Sequence, residues 1–370
     1  MKGEKAMKKR LQQLTSLVAL SGYEDPVIDY VVKQLKDKVA QLTVDPLGNV
    51  IAKVNNTSEP NPYRLIIFAH MDELGLVVRA IDDHGFLRLE RVGGIPEKSL
   101  AGTRIVIETE ECKWEGIIGT KSHHVTPSEE KYKVVPVEDI YADFGFSSKA
   151  EVLAAGIEIG SPVGYARQFF SNGDMVFSNA LDNRVGCLAL LELADRIQSV
   201  ELNCELYLVF SVQEEFNLRG VLPAIRQIDP HLAITLDITI ATDTPDLRGD
   251  DMIALGAGPS IGMYSFHGRG TLGGQIPNPK LVQYIKTTAK KANINLQPAV
   301  FKGILTDASF SQLENNGFPI IDLGYPARYT HAPIEAINLK DVKQLLQLLT
   351  QLCKDAGHHL DFSRGKFGGG

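Results

Sequence analysis

What this 370-residue sequence lacks narrows it first. It has four cysteines, Cys112, Cys187, Cys204 and Cys353, and no two of them form a C-x-x-C pair. A disulfide framework or a zinc–thiolate site is not expected, and the four read as small core hydrophobes of a reducing compartment. No window approaches the roughly 18 consecutive apolar residues of a membrane span. Beyond the first ten residues there is no run of Lys and Arg, and the formal net charge is -7. Both points argue against a nucleic-acid partner, which calls for a basic patch. The basic start, Met1 to Arg10, is followed by Leu11, Leu14, Leu17 and Val18 interleaved with Gln12, Gln13, Thr15 and Ser16. That spacing is an amphipathic helix rather than the continuous apolar core of a secretory signal, so a cytoplasmic location is expected. No phosphate-binding G-x-x-x-x-G-K-[ST] string occurs. Gly268 to Gly273 fits G-x-G-x-x-G, but Pro277 and Pro279 follow at once, so a loop is expected and not a dinucleotide site.

What is present is an ordinary globular composition, 44% hydrophobic and 22% charged, in a chain long enough for two domains. Two helices open it, the second starting at Pro26. Asp45-Pro46-Leu47-Gly48 marks a turn, and a strand is expected over 50–54. The continuous apolar run 65–69 reads as a strand covered on both faces. Over 75–170 the texture changes to short strands separated by Gly and charged turns, with 76–81 and 86–92 flanking the hairpin turn Asp82-Asp83-His84-Gly85. This stretch reads as a small β domain, barrel-like, with one short helix over 148–155. The α/β texture then returns. Helices are expected over 184–197, 279–292 and 339–352, and buried strands over 206–212, 232–236 and 320–323. The tail 364–370, with four glycines, is expected to be disordered. The fold class is therefore α/β: one domain formed by 1–74 and 171–370, interrupted by an inserted β domain over 75–170.

One pattern recurs along the α/β part. Several buried strands end, on the carboxyl side, in a His or a carboxylate, and that edge is where sites form in open α/β sheets. The first run leads to His70 and Asp72, the second to Glu214 and Glu215, the third to Asp237, and the fourth to a loop ending at His331. Asp182 stands just before the helix over 184–197. Imidazoles and carboxylates in such number suit two divalent ions, zinc, cobalt or manganese, with one carboxylate bridging them. Such a pair generates a hydroxide near neutral pH and polarises a carbonyl, while a further carboxylate takes the proton. Adjacent Glu214 and Glu215 can divide those tasks only if the strand has already ended, because neighbours in a strand point to opposite faces. Taken singly each residue has a plainer reading: a hydrogen-bonded His, a solvated turn at Glu214-Glu215, a helix cap at Asp182-Asn183. The joint pattern is what those readings fail to explain.

These motifs resemble the tetrahedral (TET) and glutamyl aminopeptidases, a family of two-metal metallopeptidases. The matching stretches run in order: Ala69-His70-Met71-Asp72-Glu73-Leu74-Gly75, Ala180-Leu181-Asp182-Asn183-Arg184-Val185-Gly186, Val212-Gln213-Glu214-Glu215, Leu236-Asp237-Ile238-Thr239, Leu305-Thr306-Asp307-Ala308 and Pro326 to Glu335. The resemblance implies an α/β/α sandwich with a central mixed sheet and an inserted β-barrel-like domain that mediates assembly. It implies that Asp182 bridges two divalent ions, that His70 and Asp237 complete one site, and that Glu215 and His331 complete the other. Glu214 is then the general base, and Asp72 orients His70. The implied substrates are short peptides with a free amino end, and the implied state is a homo-oligomer, dimer-based or dodecameric. The chain departs from the family at Phe216-Asn217-Leu218-Arg219-Gly220, where Val-Gly-Leu-Arg-Gly is usual, and at Asn179, where Lys is common. These departures lie beside the site and bear on substrate preference. Two rival readings stand: a metal-dependent deacylase of small N-acyl substrates, and a glycoside hydrolase using a carboxylate pair without metal. His123-His124 and His358-His359 need no function, and Arg328 and Tyr329 receive no role from sequence.

Overall fold

The computed structural model describes residues 2–249, 253–267 and 272–365. Most of the G-x-G-x-x-G string and the last five residues of the glycine-rich tail lie outside the described residues.

The architecture is built on four parallel strands whose residues alternate between two apolar layers. Side by side lie Glu205–Ser211, Arg64–His70, Leu232–Ile240 and Ile320–Arg328. In the Arg64–His70 strand, Leu65, Ile67 and Ala69 face one core, shared with the helices Lys2–Ser16, Leu181–Ile197 and Leu339–Asp355. Ile66 and Phe68 face the opposite core, shared with the helix Leu222–Ile228 and with Ala308. A strand buried on both faces needs an apolar residue at every position, which is why this one reads as a continuous run. The result is an α/β/α sandwich. Antiparallel strands extend the sheet on both sides: Val50–Lys53 and Gln41–Val44 on one, and Glu335–Asn338, Met175–Ser178 and Phe169–Asn172 on the other. A small lobe of Ser260–Phe266, Gly274–Gln275 and Gln297–Lys302 branches from Ile320–Arg328.

Two strands run longer than the sequence signals. Leu232–Ile240 continues past Asp237, and Ile320–Arg328 continues through Gly324, Tyr325 and Pro326, whose glycine and proline read as a stop. The two pair in unbroken parallel register from Ala233↔Ile320 to Ile240↔Ala327. Tertiary pairing overrides the local breaker residues. Asp237 is consequently inside a strand and not at its end.

The six strands Gly75–Ile81, Leu87–Val92, Arg104–Glu108, Lys113–Ile118, Tyr141–Asp143 and Pro162–Tyr165 close into a barrel with its own apolar core. The short helix Lys149–Ala154 is capped by Ser148. The chain enters the barrel directly from His70 through residues 71–74. Both joints of the barrel are held at one place. Arg167, just past the last barrel strand, bonds both oxygens of Glu73, just before the first. Glu73 Oε1 also accepts from Ala19 N at 2.8 Å and lies 3.5 Å from the fully buried Arg184. Arg184 in turn donates to Leu14 O at 2.8 Å. Removing the carboxylate leaves a buried guanidinium without its counter-charge, which costs about 3–5 kcal/mol. Glu73→Ala is expected to lower the denaturation midpoint accordingly. Parallel loss in Arg167→Ala, with strong non-additivity in the double variant, would identify the network as the cause; additive losses would contradict it.

Candidate active site

The carboxyl ends of the four parallel strands place the predicted residues together. The strand Arg64–His70 ends at His70, which is 2% exposed. Its register partner is Ser211, the last residue of Glu205–Ser211. That strand therefore stops before the glutamates, and Gln213 turns the chain with a left-handed φ of 55°. This meets the condition for Glu214 and Glu215 to reach the same site. The helix Leu181–Ile197 has non-helical angles at Asp182 and Asn183. The plainer capping role falls to Asn183, whose Oδ1 accepts from Gly186 N at 3.1 Å and whose Nδ2 donates to Leu236 O at 2.8 Å. Asp182 is left free to face the cluster. His331 takes a left-handed φ of 66° in the loop that follows Ile320–Arg328.

Asp182 sits between the two imidazoles. His70 Nε2 is 3.2 Å from Asp182 Oδ1, and His331 Nε2 is 3.7 Å from Asp182 Oδ2. His70 Nε2 also lies 3.7 Å from Glu214 Oε2, and His331 Nε2 lies 4.0 Å from Glu215 Oε2. Among the described residues, three groupings bring potential ligand atoms within 4.8 Å of one another: His70, Asp182 and Asp237; His70, Glu214 and Glu215; and Asp182, Glu215 and His331. All seven residues singled out by sequence are thus within one neighbourhood, Asp72 being tied to the rest by its bonds to the glutamate amides.

The donor set fits divalent cations on three counts. First, each His has its Nδ1 beside a main-chain carbonyl, Asp72 O at 3.1 Å for His70 and Gly94 O at 3.0 Å for His331. With Nδ1 donating to those carbonyls, Nε2 faces the carboxylate oxygens, where its lone pair becomes available to a cation that displaces the proton. Second, Asp182 Oδ1 and Glu215 Oε1 are buried without a hydrogen-bond partner among the described residues. Third, like charges gather out of water. Burial, reinforced by Asp182, pushes the Glu215 and Asp237 carboxyls well above the ordinary range. Burial also raises Glu214, reinforced by Asp237 and Glu215 against the opposing pull of His70. Burial disfavours the charge on His70, but Glu214, Asp182 and Asp72 outweigh it and raise that imidazole. Asp182 and Asp72 stay below the usual carboxylate range because His70 outweighs their burial.

Several supporting residues carry no individual sequence signal. Glu335, whose motif was visible but not its task, accepts from Asp182 N at 2.9 Å and from His331 N at 3.0 Å. It fixes the backbone on both sides of the cluster. Asp307 is buried, bonds Ser211 Oγ at 2.9 Å and is pushed by burial to about 7. Asp72 does more than sequence suggests. Its carbonyl is the nearer acceptor for His70, with Oδ1 at 3.4 Å, while its two carboxylate oxygens accept from Glu214 N and Glu215 N, both at 3.0 Å. Arg328 is engaged by Asp243 through two bonds of 2.7 Å. Asn179, where the family commonly has Lys, ties Gln168 N to Pro333 O. His123 and His124 form an exposed turn in no candidate metal grouping among the described residues. His358 lies beyond the last helix and donates to Asn61 O at 2.8 Å.

Beside the cluster opens a cavity of about 820 Å³, whose apolar wall comprises Leu218, Ile238, Ile240, Ile304, Leu305 and Phe310. A reactive, charged floor beside an apolar wall is the equipment of a hydrolytic enzyme.

Comparison with known proteins makes the class specific. Residues 48–348 match the family model for the M42 glutamyl aminopeptidases. The putative aminopeptidase SgcX of Escherichia coli (strain K12) is 40% identical over 343 residues, covering 92% of this chain and 91% of that protein. The lysyl aminopeptidase of Pyrococcus furiosus is 31% identical over 350 residues, covering 93% and 96%. Among solved structures, the TET1 peptidase of Pyrococcus horikoshii, described as assembling into a tetrahedron or a large octahedral shell, superposes with a TM-score of 0.84 at 29% identity, over 95% of this chain and 100% of that one. The fold and these relatives define a peptide-bond hydrolase. The chain belongs to the M42 glutamyl aminopeptidase family, which bears out the resemblance read from its motifs.

The raised carboxyls imply a pH signature. Each holds its proton more tightly folded than unfolded, so its stabilising contribution is complete below the ordinary carboxyl range. It is lost as pH rises through the folded values, about 7 for Asp307 and about 8 for Glu335. The melting temperature of chelated protein is expected to fall from about pH 5 to about pH 9. Adding a divalent cation should reverse the fall and release protons. A flat profile that cations leave unchanged would contradict the assignment.

Proposed function

We propose that the protein is a metal-dependent aminopeptidase that releases N-terminal residues from short peptides. The observation that carries the reading is Asp182, whose two oxygens face two different imidazoles. His70, Asp182 and Asp237 would hold one ion, and Asp182, Glu215 and His331 the other. Zinc or cobalt suits this donor set best, and manganese fits it. When bound, such ions supply Lewis-acid activation of a water and of the scissile carbonyl.

The chain's own groups do the rest. Glu214 takes the proton of the attacking water and delivers it to the leaving amine. Its buried position and raised pKa suit both halves of that transfer. Asp72 holds His70 and the glutamate turn in place. The apolar wall of Leu218, Ile238, Ile240, Ile304, Leu305 and Phe310 suits an uncharged N-terminal side chain. We further propose that residues 75–170 form an inserted domain that mediates assembly, dimer-based or dodecameric, as in the shells described for the P. horikoshii TET1 peptidase. Enclosure in such a shell limits substrates to short unfolded peptides. Among the described residues no helix is long and apolar enough to cross a membrane, and the cysteine usage suits the cytoplasm.

A panel of aminoacyl chromogenic substrates and short peptides tests the reading, run before chelation, after it, and after return of zinc, cobalt or manganese. Activity on free-amine substrates should vanish and recover, with leucyl and methionyl substrates ahead of glutamyl and lysyl ones. Glu214→Gln should lower kcat by about 10²–10⁴-fold with cation content unchanged. Activity confined to N-acetylated substrates would favour the deacylase. Hydrolysis of a cellulose oligomer that survives chelation would overturn the proposal.

A further inference from the structure

Four consecutive main-chain amides donate to side chains from distant parts of the chain. Val212 N donates to Asn49 Oδ1 at 3.1 Å, and Gln213 N to Glu24 Oε1 at 3.0 Å. Glu214 N and Glu215 N donate to the two oxygens of Asp72, both at 3.0 Å. The run begins where the strand Glu205–Ser211 stops, so among the described residues no sheet partner fixes its backbone. Gln213 holds a left-handed φ of 55°, which a non-glycine residue keeps only where its surroundings impose it. Glu24 supplies that constraint at the residue that turns the chain.

Glu24 belongs to the loop between the first two helices and is 4% exposed. Its main-chain oxygen starts the second helix by accepting from Val27 N at 2.9 Å and Ile28 N at 3.0 Å, so its backbone is anchored. A carboxylate buried to this degree is costly unless hydrogen-bonded, and the Gln213 amide is one bond that offsets the cost. From the same loop Ser21 donates to Asp72 Oδ2 at 2.6 Å. Both residues lie outside the stretch 48–348 that matches the family model.

We infer that Glu24 is a positioning residue for the glutamate pair: it clamps the Gln213 amide in its left-handed turn, so that Glu214 and Glu215 project into one site, while Ser21 fixes Asp72 from the same loop. The inference rests on the proposed roles of Glu214 and Glu215. Without the clamp Gln213 relaxes, and the general base moves relative to the reacting atoms. Displacements near 1 Å cost catalysis about 100-fold while leaving the apolar cavity intact, so the effect falls on kcat and not on KM.

The test uses full-length protein with its cation restored and a leucyl chromogenic substrate. Glu24→Ala should lower kcat by about 10–100-fold with KM little changed. Glu24→Gln, whose amide oxygen still accepts from Gln213 N, should stay near wild type. A folded Glu24→Ala with wild-type kcat would overturn the inference, as would Glu24→Gln falling as far as Glu24→Ala. If Glu24→Ala does not fold, Ser21→Ala decides: a lowered kcat at constant KM supports the clamp, and an unchanged kcat sinks it. A wild-type protein inert on every peptide would refute the proposed function instead. Calorimetric titration of zinc into chelated protein would then still judge the clamp. Glu24→Ala should bind zinc at least about tenfold more weakly, because Glu215 rides on the same turn; equal affinity would overturn it.

Discussion

Like charge held together out of water is the constraint from which the rest of the structure follows. Asp182, Glu214, Glu215 and Asp237 converge within reach of His70 and His331. Without cations, burial and mutual repulsion push Glu214, Glu215 and Asp237 toward their protonated forms, while the surrounding carboxylates raise His70. The surrounding fold prevents the easier solution, in which the carboxylates turn away to solvent. The end of strand Arg64–His70 fixes His70, the continuous pairing of Leu232–Ile240 fixes Asp237, helix Leu181–Ile197 fixes Asp182 through Asn183, and Glu335 grips the amides of Asp182 and His331. This rigidity makes the site ready for cations and costly without them.

Much of this was legible in the sequence because it is written in residue type. A strand covered on both faces must be apolar at every position, so 65–69 and 206–212 announced themselves. The barrel showed in its Gly-punctuated short strands, and its hairpin turn in Asp82-Asp83-His84-Gly85. The ligand candidates showed because His and carboxylates are rare at the ends of buried strands. The lengths of Leu232–Ile240 and Ile320–Arg328 were not legible. They are set by mutual pairing, which carries Gly324 and Pro326 through positions that local rules read as a stop.

The main-chain contacts of the supporting side chains were hidden for a different reason. Glu24, Asn49, Asp72 and Glu335 act on main-chain amides, and an amide has the same chemistry whatever side chain it carries. Glu24 and Gln213 are separated by 189 positions, so no local spacing links them. Of the departures at Phe216 and Asn217, the first is exposed and the second lines the cavity. The clamped stretch ends at Glu215, and Asn217 and Leu218, both left-handed, belong to the wall of the cavity.

The central claim is that Asp182 is shared by two cations. Cation content of purified protein, measured by elemental analysis after equilibration with zinc and dialysis, tests it most directly against Asp182→Asn. The account predicts about two ions per chain in the wild type and loss of both in Asp182→Asn, because the shared ligand belongs to each site. A wild type that retains none, or an Asp182→Asn protein that keeps two, would contradict it.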